Sequence, residues 1–336
     1  MLLDQMHLPP GIKIAVYASV EPQQAELDYL RALGVEYVTT WAKPDKATPD
    51  YYVSRKQIFA GAGVTLYGMG NIGVHNQEAI VLNLPERDAK IEVYKQHLRS
   101  LAAAGIPYTT YAHMANGIWS TARETSRGAR ARAYDAAAVG EGNWDGTPYL
   151  PPITHGREFT QAEIWDNYTY FIRAVAPLAE ELGIQIGIHP DDPPLLALGG
   201  VPRCIFSSFD GYVRALEIAN SPNVGICLCV GCWLEGGNGM GRGVLETIRH
   251  FGAQGKIFKV HFRNVESPLP HFVESFLNNG YMDMRPVLQA LQTVGFEGIM
   301  MPDHVPQIGG AEQIGIAYTI GYMQALLAGV AAVPAA

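Results

Sequence analysis

The sequence predicts an α/β fold, a (β/α)8 TIM barrel, and two observations lead to this prediction. Helical patterns that end in Gly are followed directly by apolar strands, and this helix–Gly–strand pattern recurs along the chain. Short apolar runs also alternate with helical patterns over the 336 residues. This alternation indicates a parallel sheet covered by helices, and eight such units would close a barrel.

The recurring glycine has a physical reason. Helices often end in a left-handed residue, a conformation that Gly adopts without the steric penalty of a Cβ atom. The predicted helix-to-strand junctions are Leu33-Gly34-Val35, Ala62-Gly63-Val64, Ala104-Gly105-Ile106, Leu182-Gly183-Ile184 and Val294-Gly295-Phe296.

Each predicted strand is apolar almost throughout, as expected for strands that are covered on both faces. In chain order the strands are predicted at Lys13–Tyr17, Val35–Thr39, Val64–Gly68, Tyr108–Tyr111, Gln185–Ile188, Val224–Leu228, Ile257–Val260 and Gly298–Met301.

The helices between them are recognised by apolar spacing and by their caps. The clearest patterns cover Gln23–Leu33, Asp88–Ala104, Gln161–Leu182 and Met284–Val294. The third begins with Thr160 and Glu163, which form a capping-box pattern, and Asp283 can cap the fourth. A doubly wound sheet is the second architecture compatible with the alternation. We prefer the barrel because no G-x-G-x-x-G turn opens a helix after the first strand.

One segment, residues 112–159, follows the fourth strand and shows no sustained period of either kind. We predict it as an irregular loop insertion in a single barrel domain that spans residues 1–336. An insertion at this place lies over the active-site mouth, and loops of this length are usually functional or mobile. A solvated excursion is the alternative for a segment that carries Arg123, Arg127, Arg130 and Arg132.

Charge and composition exclude several classes of protein. The chain has 24 Lys and Arg against 32 Asp and Glu, a net charge of −8, which argues against a nucleic-acid partner. Met1–Pro10 lacks the pattern of a secretory signal, and no run of roughly 18 apolar residues predicts a membrane span. We therefore expect a cytoplasmic protein with no membrane partner.

Potential metal ligands follow four consecutive predicted strands. In a barrel, the carboxyl ends of the strands converge on the active site. Strand five is followed by His189, strand six by Cys229, strand seven by His261 and strand eight by Asp303. A single ligand of this kind has little meaning, but four at equivalent places predict one divalent cation at the mouth of the barrel.

The ligand types indicate which metal the site would hold. Imidazole, thiolate and carboxylate together suit a first-row transition metal better than Mg²⁺ or Ca²⁺. The choice of thiol is less certain: Cys227 lies on the same strand face as Cys229, and Cys232 follows three residues later. We prefer Cys229 because it lies at the strand end. A site made only of cysteines would also need Cys204.

Three residues near the predicted ligands are candidates for substrate chemistry. Arg263 could hold a substrate carboxylate, or it could form a salt bridge at the barrel rim. His304 is adjacent to Asp303 and could transfer a proton at a metal-bound substrate. Tyr318, near the start of the last long helix, would be assigned to helix packing by its spacing alone.

Five runs in the second half of the chain carry a resemblance to a known family. They are His189-Pro190-Asp191-Asp192-Pro193-Pro194, Val201-Pro202-Arg203, Lys256–Val265, Met301–Pro306 and Ala317–Met323. In these runs the chain resembles the mannonate dehydratase family, collinearly from about Glu158 to Leu327. The resemblance implies a xylose-isomerase-like barrel that removes water from D-mannonate to give 2-keto-3-deoxy-D-gluconate.

The resemblance also implies a cofactor and site residues. Mn²⁺ is the usual metal, with Fe²⁺, Co²⁺, Ni²⁺ or Zn²⁺ as alternatives. The family's ligands fall on the same four residues, and its proton-transfer residues fall on His304 and Tyr318. We expect Tyr318 to be the base, with its pKa lowered by the cation, and His304 to be the acid, although the roles could be exchanged.

The front half differs from the family pattern. The first strand contains Val16-Tyr17-Ala18-Ser19 where members have an Arg-Trp-Tyr-Gly-like run. The loop after strand four also differs, and there we predict His113, Trp119 and Arg123 as substrate-binding residues. Another aldonate or a keto-sugar is therefore an alternative substrate.

Other functions fit the same barrel. A metal-dependent isomerase or epimerase would use the cation without losing water, although such sites usually have more carboxylate ligands. A sugar-binding scaffold with a structural metal is a further alternative. Barrels of this kind often pair through helices and loops, so a homo-oligomer is also considered.

Overall fold

The protein is described by a computed structural model that covers residues 8–331, in which eight parallel strands close into a barrel. The strands follow one another around the ring in chain order, and Lys13 of the first pairs with Ile299 of the last. The predicted barrel is thus confirmed. The barrel strands are β1 Lys13–Tyr17, β2 Tyr37–Ala42, β3 Thr65–Asn71, β4 Tyr108–Tyr111, β5 Gln185–Ile188, β6 Val224–Cys229, β7 Ile257–His261 and β8 Ile299–Met301.

One long helix follows each barrel strand. These helices are α1 Gln24–Ala32, α2 Pro49–Gly61, α3 Arg87–Ala104, α4 Gln161–Leu182, α5 Phe209–Ala219, α6 Val244–Ala253, α7 Met284–Thr293 and α8 Glu312–Ala331. Shorter helical segments lie at Pro44–Lys46, Ile72–His75, Glu78–Val81, Val230–Gly236 and Gly237–Met240.

Local sequence signals account for the ends of these helices. Gly105 and Gly183 close α3 and α4 with φ angles of 61° and 68°, in the left-handed region. Thr160 and Glu163 form the predicted capping box at the start of α4, and Asp283 accepts a hydrogen bond at the start of α7. These ends hold each helix against the next strand and so place the strand ends at one mouth of the barrel.

The insertion over residues 112–159 is more regular than predicted. It contains six short strands, some of which form two antiparallel sheets within the insertion. Strands of three or four residues are too short to give a recognisable alternation, which is why the sequence indicates only a loop. The strands are Ile118–Ser120, Glu124–Ser126, Ala129–Ala131, Ala133–Asp135, Glu141–Trp144 and Thr147–Tyr149.

The insertion is also attached to the rest of the barrel. Its strand Ala133–Asp135 pairs with His271–Ser275, which follows β7 and also pairs with Asn264–Val265. One remaining hairpin, Ala197–Leu198 with Val201–Pro202, follows β5. The antiparallel pairing after β7 brings side chains of the insertion to the mouth of the barrel.

Within residues 8–331, no helix has the length and apolar character needed to cross a membrane. The part of the signal-sequence prediction that concerns residues 1–7 lies outside the described residues.

Candidate active site

The structure brings together all four predicted metal ligands. The ligand atoms of His189, Cys229, His261 and Asp303 lie within 4.8 Å of one another, the first three buried and the last partly buried. Cys229 and His261 end β6 and β7 and are paired in register. Because the carboxyl ends of neighbouring barrel strands lie together, the four predicted ligands form a cluster of two nitrogens, a sulfur and a carboxylate oxygen.

The two histidines approach this point through different ring nitrogens. Nδ1 of His189 lies 2.7 Å from the carbonyl oxygen of Pro190, which leaves Nε2 for a metal. Nε2 of His261 lies 3.1 Å from the hydroxyl of Tyr17, and its Nδ1 lies 3.3 Å from a carboxylate oxygen of Asp303. A ligand histidine usually has its other nitrogen tied in this way. Tyr17 is a site residue that the sequence analysis missed.

Cys229 is positioned to be a thiolate. It caps the short helix Val230–Gly236, and its sulfur lies 3.5 Å from the backbone nitrogen of Cys232. Burial alone would raise the pKa of Cys229, but a hydrogen bond from the Cys232 thiol and the charge of Arg263 hold it well below its usual range. Two oriented imidazoles, a thiolate and a carboxylate fit a first-row transition metal.

The other cysteines have different surroundings. The Cys227 sulfur lies 3.7 Å from Nε2 of His261, on the side of the ring that faces away from the ligand cluster. Cys232 forms a second close group with Asp192 and Glu235. That group already surrounds a cation, because the guanidinium of Arg263 donates to Asp192 at 3.0 Å and to Glu235 at 2.5 Å. The geometry therefore favours Cys229 as the ligand.

Arg263 belongs to a buried ion network, and it is not among the residues that line the central cavity. Its side chain is 2% exposed, and it also donates to Glu274 at 3.0 Å. Arg132 completes the network through Asp192 at 2.7 Å and Glu274 at 2.9 Å. Asp303 also lies 3.3 Å from Nε of Arg263, so four protein carboxylates surround the guanidinium. This geometry corresponds to the salt-bridge alternative considered for Arg263 and gives it a positioning role.

His304 lies beside the ligand cluster, in a left-handed conformation with φ 35°. Its Nδ1 is 2.8 Å from a carboxylate oxygen of Glu274, so Nε2 is the nitrogen left for a substrate. Burial would lower the pKa of His304, but Asp303 and Glu274 outweigh it and raise the pKa to about 9. This shift favours the imidazolium form at neutral pH, which is the form that the predicted acid needs.

Tyr318 does not line the central cavity that contains His304. It lies in α8, 39% exposed, and its hydroxyl accepts hydrogen bonds from Asn278 at 2.9 Å and Arg127 at 3.5 Å. The hydrogen bond from Arg127 lowers the pKa of Tyr318. The pKa shift thus has the expected direction, and an arginine of the insertion contributes to it.

A cavity of about 450 Å³ opens above the ligand cluster. Its floor includes His189, His261, Asp303 and His304, and no Lys or Arg is among the described residues that line it. One wall is aromatic. In this wall Trp41 packs edge-on against His75 at a centroid distance of 4.4 Å, and Trp144 stacks on His75 at 5.0 Å.

The predicted substrate-binding residues of the insertion lie at different depths. His113 and Trp119 are buried and do not line this cavity. Nδ1 of His113 lies 2.8 Å from the hydroxyl of Tyr111, and burial lowers the pKa of His113 to about 3. Arg123 lines an adjoining cavity that also contains His304. Of these three residues, Arg123 alone lines a cavity that also contains His304, the predicted acid.

Comparison with known proteins gives a consistent family relationship. A sequence profile described as D-mannonate dehydratase (UxuA) matches residues 25–147 and 152–333. The mannonate dehydratase 2 of Halalkalibacterium halodurans is 35% identical over 269 residues, which cover 74% of this chain and 76% of that protein. The mannonate dehydratase of Oceanobacillus iheyensis is 33% identical over 289 residues, or 79% of each chain.

A solved structure shows the same architecture. The crystal structure of mannonate dehydratase from Streptococcus suis serotype 2 superposes with a TM-score of 0.80 at 24% identity, over 97% of both chains. The profile match also extends well into the front half, beyond the motifs from Glu158 to Leu327 that carried the resemblance.

Proposed function

The chain belongs to the D-mannonate dehydratase family, and from this membership we propose that it is a metal-dependent hydro-lyase acting on D-mannonate. The products are 2-keto-3-deoxy-D-gluconate and water. The observation that carries the proposal is the cluster of four ligand atoms within 4.8 Å, next to His304 on the same cavity floor.

The reaction needs charge stabilisation and two proton transfers. A proton α to a carboxylate is only weakly acidic, and hydroxide is a poor leaving group. When bound, a divalent metal, which we propose is Mn²⁺, supplies positive charge beside the substrate oxygens where the anion develops. His189, Cys229, His261 and Asp303 would hold it.

His304 supplies the proton for the departing hydroxide. Glu274 accepts the hydrogen bond from Nδ1, which orients the ring and leaves the Nε2 proton for the substrate. Because this carboxylate is itself fixed by Arg132 and Arg263, the ion network acts on the reaction by holding His304 in place.

We propose Tyr318 as the base that removes the proton α to the carboxylate. The hydrogen bond from Arg127 favours the ionised phenol, as a base at neutral pH requires. To reach a substrate carbon above the cluster, α8 must approach the cavity or the substrate must extend towards Arg127.

A product assay tests the proposed function. The purified protein with Mn²⁺ is incubated with D-mannonate and with other aldonates, and 2-keto-3-deoxy acids are measured. The chelator-treated protein is the control. We expect the keto-deoxy acid from D-mannonate only when metal is present. Conversion of a keto-sugar with no loss of water would instead establish an isomerase or epimerase.

A further inference from the structure

The hydroxyl of Tyr17 lies between two nitrogens at the floor of the cavity. Nζ of Lys259 is 3.0 Å away, and Nε2 of His261 is 3.1 Å away. Lys259 is 1% exposed, and its ammonium also lies 4.7 Å from the centre of the Tyr17 ring. A buried lysine is costly to desolvate, so its contact with Tyr17 calls for an explanation.

The donors and acceptors around this oxygen can be counted. An ammonium group only donates hydrogen bonds. His261 turns Nδ1 towards His189 and Asp303, so as a metal ligand through Nδ1 it carries its proton on Nε2. In that tautomer the hydroxyl oxygen of Tyr17, 3.1 Å from Nε2, is the nearer acceptor for this proton, and the Cys227 sulfur lies farther away at 3.7 Å. The phenolic oxygen therefore accepts two hydrogen bonds, and both of its lone pairs are used.

The single proton of Tyr17 must then point elsewhere. Tyr17 lines the cavity, and the described lining residues include no Lys or Arg to meet a carboxylate. We infer that the Tyr17 hydroxyl donates a hydrogen bond to an anionic oxygen at the metal-binding end of the substrate. The inference rests on the proposed function and names the substrate group, the 2-hydroxycarboxylate end common to aldonates.

Lys259 acts through Tyr17 and is a positioning residue. By occupying one lone pair of the phenolic oxygen, it prevents the hydroxyl from turning back into the barrel. A hydroxyl that accepts from a cation is also a stronger donor, because hydrogen bonds in a chain polarise one another. The pair thus supplies a preorganised donor where no arginine lines the cavity.

The test compares three variants: Tyr17→Phe, Lys259→Met and Tyr67→Phe. Tyr67 is a matched control, since it is also buried inside the barrel and its hydroxyl lies 3.5 Å from the carbonyl oxygen of Phe258. The probe is glycerate, a three-carbon 2-hydroxy acid, whose binding at saturating Mn²⁺ is measured by calorimetry. Mn²⁺ affinity is measured separately, and circular dichroism checks folding.

We expect Tyr17→Phe to weaken glycerate binding about 10- to 100-fold at saturating Mn²⁺, the range for a lost hydrogen bond to a charged group. Lys259→Met should weaken it less, and Tyr67→Phe should leave it unchanged. If Tyr17→Phe lowers only the Mn²⁺ affinity, Tyr17 merely orients His261 and the inference is wrong.

The outcome is separable from that of the proposed function. Glycerate has only the carboxylate end of an aldonate and lacks most of the sugar chain, so its binding can be measured apart from the dehydration of D-mannonate. Wild-type protein that binds glycerate but dehydrates no aldonate would overturn the function and leave the Tyr17 contact standing. Wild-type protein that fails to bind glycerate at saturating Mn²⁺ would overturn the contact itself.

Discussion

Nε2 of His189 lies 3.2 Å from Nδ1 of His261, and each ring has its other nitrogen tied elsewhere. Nδ1 of His189 lies beside the carbonyl oxygen of Pro190, and Nε2 of His261 lies beside the hydroxyl of Tyr17. Two nitrogens about 2.1 Å from a shared ion would lie at about this separation when they are neighbours in its coordination shell. The tautomers of both ligands are thus set by their surroundings, and this organises the metal site.

The role of the thiolate is tested by Cys229→Ser. Serine is a much poorer ligand than thiolate for a first-row metal, so we expect Mn²⁺ affinity to fall by at least about tenfold. Calorimetric titration of the metal-free protein measures the affinity. Cys204→Ser is the control, because Cys204 lies outside the ligand cluster. Equal affinities in both variants would remove Cys229 from the site.

The role of the acid is tested by His304→Gln. Loss of general acid catalysis typically costs about 10²- to 10⁴-fold in kcat. We expect a loss in this range with Mn²⁺ content unchanged, because His304 is not among the ligand group. His271→Gln is the control, since the His271 side chain is 45% exposed and pairs with Glu124, away from the ligand cluster. A fall in activity that simply follows lost metal would contradict the assignment.

The proposed base is tested by Tyr318→Phe. If the phenol removes the proton, kcat should fall by about 10²-fold or more with metal content intact. Because Tyr318 does not line the central cavity, this variant is a demanding test. Turnover near the wild-type value would remove Tyr318 from the mechanism.

The pH dependence follows from the raised pKa of His304. Its protonated form is the one needed by an acid, so activity should be present below the pKa and should fall as the pH rises through about 9. Glu274 is one of the charges that raise this pKa. In Glu274→Gln the alkaline limb of the kcat profile should therefore move to lower pH. A limb that stays in place would show that another group titrates there.

The ion network is tested by Arg263→Met. Removing the guanidinium leaves four carboxylates, those of Asp192, Glu235, Glu274 and Asp303, with less compensating charge, and breaking a buried pair typically costs about 3–5 kcal/mol. We expect a much lower midpoint of denaturant unfolding. Arg285→Met is the control, because the Arg285–Asp283 pair is exposed and such pairs contribute about 0–1 kcal/mol. An unchanged midpoint with lost substrate binding would favour the predicted carboxylate contact.

Local sequence patterns were sufficient for the barrel and for the candidate ligands. Gly105 and Gly183 end helices because they adopt left-handed conformations, and the apolar runs after them become buried strands. Parallel strands in a ring bring their carboxyl ends to one mouth, so Cys229 and His261 become neighbours wherever the helices lie. These inferences depend on local sequence and on the closure of eight parallel strands into a barrel, and they require no knowledge of distant side-chain contacts.

The functions of Tyr17, Lys259 and Arg263 could not be inferred in this way. Tyr17 and His261 are 244 positions apart, and the local sequence around neither residue predicts the contact between the hydroxyl and the imidazole. For Arg263 the sequence left a substrate contact and a salt bridge open, and four carboxylates from other segments surround it in the structure. The partner of a charged or hydrogen-bonding side chain depends on which distant groups share its buried space, and packing of the whole chain determines those groups.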